Sequence, residues 1–423
     1  MSLTTPQRAI IKATIPALAL HGTAITSSFY ESLLSAHPDL SNIFNATHQS
    51  TSHQARALAS ALHAYATHID DQASLKKMLE LVCAKHVSLG ITPPMYTLVG
   101  EGLIAAMQRV LGDLPGGVWS AEVRAAWTAA YWELANSMIA LERAGYARVE
   151  HSNWVGWQTC RIVRKEMETE CVTSFYLVRG DGADVPGFVP GMYVSLRVRV
   201  PGATGSGDEG MLQARQYSLS DGPGRGYLRV SVKREDGRGG FRGGYVSGVL
   251  HGMGVGGEVE VSCPGGDFGF DAAKEGSVDG DGDGNVPLVL LGAGVGITPL
   301  MAMLEAEKGK RRITLVHTAR RDVDRVFRVR LRDVEREYVG LRVVFFTTCP
   351  DEGETQGEEY DCQGRMDMDI LRERELLHLG DERTRYFVCG PTEFMCAAEA
   401  KLKEYGVDSE RVRTEMFGVG GGQ

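Results

Sequence analysis

Four short segments hold residue types whose spacing suits redox chemistry on bound nucleotides. Arg215-Gln216-Tyr217-Ser218-Leu219 places a guanidinium, an amide, an aromatic ring and a hydroxyl along one extended run. Arg215 can neutralise phosphate, Tyr217 can pack on a flavin ring, and Ser218 can hydrogen-bond near the ring nitrogen that accepts hydride. Gly243-Gly244-Tyr245-Val246-Ser247 then leads into the helix-like Gly248–His251, and a small-residue loop opening a helix offers free N–H groups to a pyrophosphate. Leu291-Gly292-Ala293-Gly294-Val295-Gly296-Ile297-Thr298-Pro299 follows a short apolar strand and precedes the helical run Leu300–Leu304. Its glycines let backbone approach a dinucleotide closely, and Thr298 is expected to cap a helix that Pro299 begins. The pattern is G-x-G-x-G-x-T-P and not the G-x-G-x-x-G of the Rossmann fingerprint. Last, Cys389-Gly390-Pro391 lies between a strand and a helix, where a thiol could stand beside a nicotinamide carbon. Taken singly, the first segment also reads as a strand end and the second as a plain turn.

In this order and spacing the four motifs resemble the ferredoxin–NADP reductase superfamily, over residues 154–423. The resemblance implies FAD held by Tyr193, Arg215, Gln216, Tyr217, Ser218, Gly244, Val246 and Ser247. It implies NADH or NADPH held by Gly292, Gly294, Val295, Gly296, Ile297, Thr298, Pro299, Cys389, Gly390 and Pro391. The family's C-terminal aromatic corresponds to Phe417, followed by Gly418 and then by Val419.

The first third carries a second constellation. His86 lies on an apolar helical stripe with Met78, Leu79 and Val82, Gln54 and Leu58 share a helix face, and Phe44 falls in the loop-like Asn42–Asn45. A lone histidine on such a face is most often a packed core residue. With Tyr30 upstream, and Tyr96 and Glu142 downstream, the set can instead enclose a haem: one neutral imidazole for iron, apolar walls, and a few donors facing a bound gas. Phe29-Tyr30, Asn42–Asn45, Gln54–Leu58, Ala84-Lys85-His86 and Tyr96–Glu101 resemble the globin domain of flavohaemoglobins, and with the reductase motifs the likeness spans essentially the whole chain, departing at Val419, where flavohaemoglobins usually have a proline. It implies haem b with His86 as the proximal iron ligand, Tyr96 and Glu142 behind it, Tyr30 and Gln54 as distal donors, and Phe44 and Leu58 as walls. The activity implied is nitric oxide dioxygenation, with NO, O2 and NAD(P)H consumed and nitrate released. An O2-sensing or storage globin and a general diaphorase are the rival readings.

The elements that must position these residues change character along the chain. Of the 52 glycines, 44 lie after residue 150. Apolar residues at three- and four-residue spacing, such as Trp127, Tyr131, Leu134, Met138 and Leu141, predict an all-helical domain of seven or eight helices over 1–150. From Trp154 the period becomes two, as in Val194, Leu196, Val198 and Val200, predicting an antiparallel β-barrel over 154–286, to which the resemblance assigns FAD. After Pro287, apolar strands alternate with helical runs, the signature of a parallel-sheet α/β domain over 287–423 that would bind NAD(P). Residues 201–210 and 271–285 read as polar surface loops.

The balance of 45 basic against 54 acidic residues, net −9, argues against nucleic acid as a partner. Lys12 and Pro16 interrupt the N-terminal apolar stretch, so stable membrane insertion and a secretory signal are not expected. Eight cysteines without a C-x-x-C pair point to a reducing compartment, and the expectation is a cytoplasmic monomer with no obligatory protein partner. Asp279–Gly284 matches half of a calcium loop but lacks its final glutamate, and reads as a solvated linker. Arg320 and Arg321 could meet a 2′-phosphate or simply be solvated.

Overall fold

The N-terminal helices start where side chains can satisfy backbone donors. Thr4 caps α1 (Thr5–Ala13) in a reciprocal capping box with Gln7, and Ser120 caps the long α6 (Ala121–His151) by accepting from Val123 N. Between them lie α2 (Ile15–Ala36), a 3-10 turn (Pro38–Asn42), α3 (His53–Thr67), α4 (Gln72–Leu89) and α5 (Pro93–Gly112). The computed structural model describes residues 3–44, 53–114, 117–200, 210–237, 244–271 and 286–417. Six α-helices and one 3-10 turn therefore stand, among the described residues, where seven or eight helices were expected. The loops at 201–210 and 271–285, the Asp279–Gly284 segment, Gly243 and Gly418 lie wholly or largely outside the described residues.

Two glycines let the helices approach at the levels that matter for chemistry. A Cβ on Gly100 of α5 would sit 2.3 Å from the Tyr131 ring, and one on Gly145 of α6 would sit 2.9 Å from Val87 Cγ2 on α4. The second contact brings α6 against α4 one residue from His86. The buried face of α2, with Leu18, Ile25, Phe29, Tyr30 and Leu33, joins Leu103, Met107 and Trp127 in a single core. Among the described residues no single helix is long and apolar enough to cross a membrane, although α1 and α2, bent by 66°, pass such a test jointly by length and composition.

Twelve strands, among the described residues, form two six-stranded sheets. The first comprises β1 (Gln158–Met167), β2 (Val172–Arg179), β3 (Tyr193–Val200), β4 (Met211–Ser218), β5 (Leu228–Lys233) and β6 (Glu258–Val261), in the order β4-β3-β6-β1-β2-β5. The pairs β1–β2, β1–β6 and β2–β5 are antiparallel. Helix α7 (Tyr245–Gly252) interrupts it. The second comprises β7 (Leu288–Ala293), β8 (Ile313–Ala319), β9 (Leu341–Thr347), β10 (Cys362–Gln363), β11 (Arg385–Cys389) and β12 (Val412–Glu415), all parallel, in the order β10-β9-β8-β7-β11-β12. Helices α8 (Ile297–Glu307), α9 (Arg328–Glu337), α10 (Met368–Glu373) and α11 (Thr392–Glu404) connect its strands. Each face is covered by a separate apolar cluster, one containing Leu290, Leu315 and Phe345, the other Leu291, Val316 and Phe346. That is why these strands read as continuous apolar runs without alternation.

By backbone contacts the chain divides into two compact units: Met1–Trp157 with Ser195–Arg215, and Gln158–Val194 with Gln216–Gln423.

Candidate functional site

In the first unit, three helices converge on His86. Its Nδ1 lies 2.8 Å from Glu142 Oε1 on α6 and 3.0 Å from the Tyr96 hydroxyl on α5. The Tyr96 hydroxyl itself donates to Glu142 Oε1 at 2.5 Å. Burial and the Glu142 charge raise the Tyr96 pKa, so the phenol keeps its proton. With Tyr96 already donating to a carboxylate, Nδ1–H must donate to Glu142 as well. This selects the tautomer whose Nε2 lone pair is free to coordinate iron. Tyr131 adds a bond from its hydroxyl to the Tyr96 carbonyl, fixing the start of α5.

The second set also assembles. The Tyr30 hydroxyl is buried, its pKa raised by desolvation, and it hydrogen-bonds the Gln54 side chain. Phe44 packs edge-on against Tyr30, with ring centroids 5.4 Å apart, and Leu58 packs on the same core. Two protonated donors beside aromatic and aliphatic walls suit a haem-bound gas, and an imidazole with its Nδ1 committed suits the iron. The residues present therefore fit a haem.

Two strand segments belonging to this unit reach the same helices. Gln213 on β4 is 1% exposed and donates from Nε2 to the carbonyls of Ser41, at 3.0 Å, and Phe44, at 3.2 Å. Leu212 N donates to Asn42 Oδ1 at 2.9 Å, and Ser195 Oγ donates to Ser88 Oγ, also at 2.9 Å and two residues beyond His86. Sequence reading missed these residues. A glutamine in a strand and an isolated serine pair carry no periodic or motif signal.

The flavin-type motif divides between a strand and a helix. Arg215, Gln216 and Tyr217 are half-buried near the end of β4, with Ser218 buried at its end. Tyr193 begins β3, and its ring takes the space that a Cβ on Gly266 would need, 2.9 Å away. Helix α7 begins at Tyr245 with Gly244 as its N-cap and no side-chain cap, and Ser247 Oγ donates to the Gly244 carbonyl at 3.0 Å. A Cβ on Gly244 would lie 2.7 Å from that oxygen. A helix start without a side-chain cap, the buried Ser218 hydroxyl and half-buried Tyr217 fit a flavin nucleotide. Phe417 is 43% exposed.

The dinucleotide-type motifs meet at the one place where strand order reverses. The chain leaves β7 for β8 on one side, and later returns to β11 on the other, so the carboxyl ends of β7 and β11 flank a crevice. Gly292 pairs with Cys389 across that junction. A Cβ on Gly296 would lie 2.3 Å from the Cys389 carbonyl oxygen, and one on Gly390 would lie 2.7 Å from Ala293 Cβ. Those glycines let the two motif loops touch. Gly294, at φ +55 with open space around it, is the one that turns backbone outward. Helix α8 begins at Ile297 with Gly296 at its N-cap and no side-chain cap. This corrects the expectation for Thr298, whose hydroxyl donates to the Val295 carbonyl at 3.0 Å and so stabilises the loop and not the helix end. Val295 stands beside the crevice, and Pro391 is the N-cap of α11. Cys389 is fully buried, and desolvation holds its thiol protonated, so it presents no exposed nucleophile. His317, opposite Gly292 on β8, was also missed: its Nε2 lies 3.0 Å from the Gly294 carbonyl and supports the loop from beneath. Arg321 is held by Asp324 at 3.0 Å, leaving Arg320 exposed beside it.

An α-helical domain with a site that fits a haem, on one chain with two reductase-type sheets, defines an oxidoreductase in which a reductase accompanies a globin. The globin family matches residues 27–138, and the oxidoreductase NAD-binding domain matches residues 290–400. A flavohemoprotein of Bordetella pertussis is 39% identical over 421 residues, covering 98% of each chain. The crystal structure of flavohemoglobin from Malassezia yamatoensis with bound FAD and heme superposes at TM-score 0.81 and 28% identity, covering 99% of this chain and 100% of that one. The Flavohem-like FAD/NAD binding domain of nitric oxide dioxygenase from Vibrio cholerae matches 62% of this chain and 98% of its own, at TM-score 0.51 and 29% identity. The chain belongs to the flavohemoprotein family.

Proposed function

We propose that this protein is a nitric oxide dioxygenase that detoxifies NO, using haem b, FAD and NADH or NADPH in the cytoplasm. The observation that carries the reading is the buried carboxylate of Glu142 on His86 Nδ1, with buried Tyr30 and its hydrogen-bonded Gln54 as support. Haem bound through His86 supplies dioxygen chemistry, and FAD converts the two electrons of a nicotinamide into single electrons that the haem can accept.

Glu142 holds the imidazole in one tautomer and makes Nε2 more basic, which favours electron donation toward the gas side. Tyr30 keeps its proton and would serve as a hydrogen-bond donor to a gas held by the haem, while Gln54 orients that hydroxyl. Phe44 and Leu58 exclude water from the pocket. A storage globin gains little from a proximal carboxylate, so the same observation disfavours that rival.

Arg215, Tyr217, Ser218 and the α7 amides are proposed to bind FAD, with Gln216, Tyr193, Val246, Phe417 and Gly418 around it. Gly292–Pro299 and Cys389–Pro391 are proposed to bind the dinucleotide. In this reading globin, flavin and dinucleotide domains occupy 1–150, 154–286 and 287–423. Aerobic NO consumption with NADH, scored as nitrate formed, tests the whole. Turnover no faster than that of the haem-free protein overturns it.

A further inference from the structure

In the second unit the first sheet and the parallel sheet share one core. Phe268 and Phe270 pack against Phe387 with ring centroids 5.5 and 6.1 Å apart, in the same cluster as Leu300, Met303 and Leu304 of α8. Beside this core runs a chain of charges that the function above does not use. Glu305 on α8 has a side chain only 3% exposed, yet three cations meet it. Its Oε1 accepts from Arg330 Nε at 2.9 Å, and its Oε2 accepts from Arg225 Nη2 at 3.0 Å and Lys308 Nζ at 2.6 Å.

Lys308 and Arg330 belong to the parallel-sheet domain. Arg225 does not. It comes from the turn joining β4 to β5, where a Cβ on Gly222 would lie 3.4 Å from the backbone of Glu305 and Ala306. The turn is itself braced, since Asp221 accepts from the Tyr227 hydroxyl at 2.8 Å and lies 3.6 Å from Arg225. Asp221 is three residues beyond Ser218, and Glu305 sits on the helix whose first residues close the glycine loop. One ion pair therefore joins the strand end proposed to face the flavin with the helix proposed to face the dinucleotide.

We propose that the Arg225–Glu305 pair is a positioning contact that sets how closely nicotinamide approaches flavin, and so governs hydride transfer and not cofactor binding. This rests on the cofactor placement proposed above. The transfer moves one hydride from NAD(P)H to FAD, leaving NAD(P)+ and reduced flavin, and it is steeply sensitive to misplacement of the two rings. Arg225→Ala is the clean variant. It removes this one ion pair while Lys308 and Arg330 still neutralise Glu305 and the shared apolar core stays in place, whereas Glu305→Gln would leave three cations facing one another.

The test uses the full-length protein loaded with FAD and haem. On anaerobic mixing with NADH, Arg225→Ala is expected to lower the limiting rate of flavin reduction about tenfold, with the half-saturating NADH concentration within about twofold. The long-wavelength charge-transfer absorbance of reduced flavin with NAD+ should weaken in parallel, and Arg225→Lys should restore both. An unchanged rate and absorbance overturns the proposal, and so does a slower rate accompanied by loss of FAD, which would make the pair a structural brace. The dioxygenase reading is judged separately, from NO consumption by the wild type, which this measurement does not use.

Discussion

Glu142 Oε1 takes two hydrogen bonds at once, from His86 Nδ1 at 2.8 Å and from the Tyr96 hydroxyl at 2.5 Å. Three helices supply these groups, so the surroundings of His86 are held from three directions. Glu142→Gln keeps the shape but removes the charge, which lowers imidazole basicity. NO turnover should fall about tenfold to a hundredfold, the usual cost of losing such an outer partner. Flavin reduction by NADH, followed in the same sample, should be unchanged.

Tyr30→Phe removes the buried donor while leaving its ring against Phe44. A hydrogen bond to a charge-bearing acceptor contributes about 1.5–3 kcal/mol, so O2 release should quicken roughly tenfold to a hundredfold. Flash photolysis measures this, and an unchanged off-rate removes Tyr30 from the mechanism.

Gln213→Leu leaves the Ser41 and Phe44 carbonyls without a buried donor, at a cost of about 1–3 kcal/mol. Because Phe44 lines the proposed haem pocket, haem loss to an apoglobin acceptor should accelerate. Binding of FAD should not change.

Gly296→Ala and Gly294→Ala separate two uses of glycine. The first drives a methyl group to 2.3 Å from the Cys389 carbonyl and forces the two motif loops apart. Flavin reduction by NADH should be nearly abolished. The second meets open space and pays only for its positive φ, about 1 kcal/mol of stability, measured by thermal unfolding.

His317 should make the protein acid-sensitive. Burial, with the Arg325 guanidinium beside it, lowers its pKa from 6.5 to about 3. The folded state binds this proton less readily than the unfolded chain, so the contribution is complete above pH 6.5 and declines as pH falls toward 3. The loss would approach ~5 kcal/mol at full development. His317→Asn should flatten the dependence of unfolding on pH between 6.5 and 4. A slope equal to that of the wild type would rule His317 out as its source.

How much of this was legible beforehand depends on the distance over which each contact acts. The six-residue β7 and the helix that follows it are local, and their apolar run and glycines announced them. Thr298 was misread because helix start and loop brace place a hydroxyl one turn apart, and only backbone geometry distinguishes them. Cys389 falls between a strand and a helix as its local sequence indicated, but its burial depends on α8 packing against β11, which no short window of sequence contains.

By itself the sequence determined the residue inventory: a histidine on an apolar helix, a hydroxyl and a ring at a strand end, and glycines where side chains would obstruct. It also determined the order of the helical, barrel and parallel-sheet regions, because period and composition are local properties of the chain. The tertiary structure decided which groups meet. Glu142 reaches His86 because Gly145 lets α6 press on α4. Gly296 touches Cys389 because the strand order reverses between β7 and β11. Arg225 finds Glu305 because a shared apolar core brings the β4–β5 turn onto α8. Packing joins residues far apart along the chain, and no periodicity within any one segment encodes which distant partner each will have.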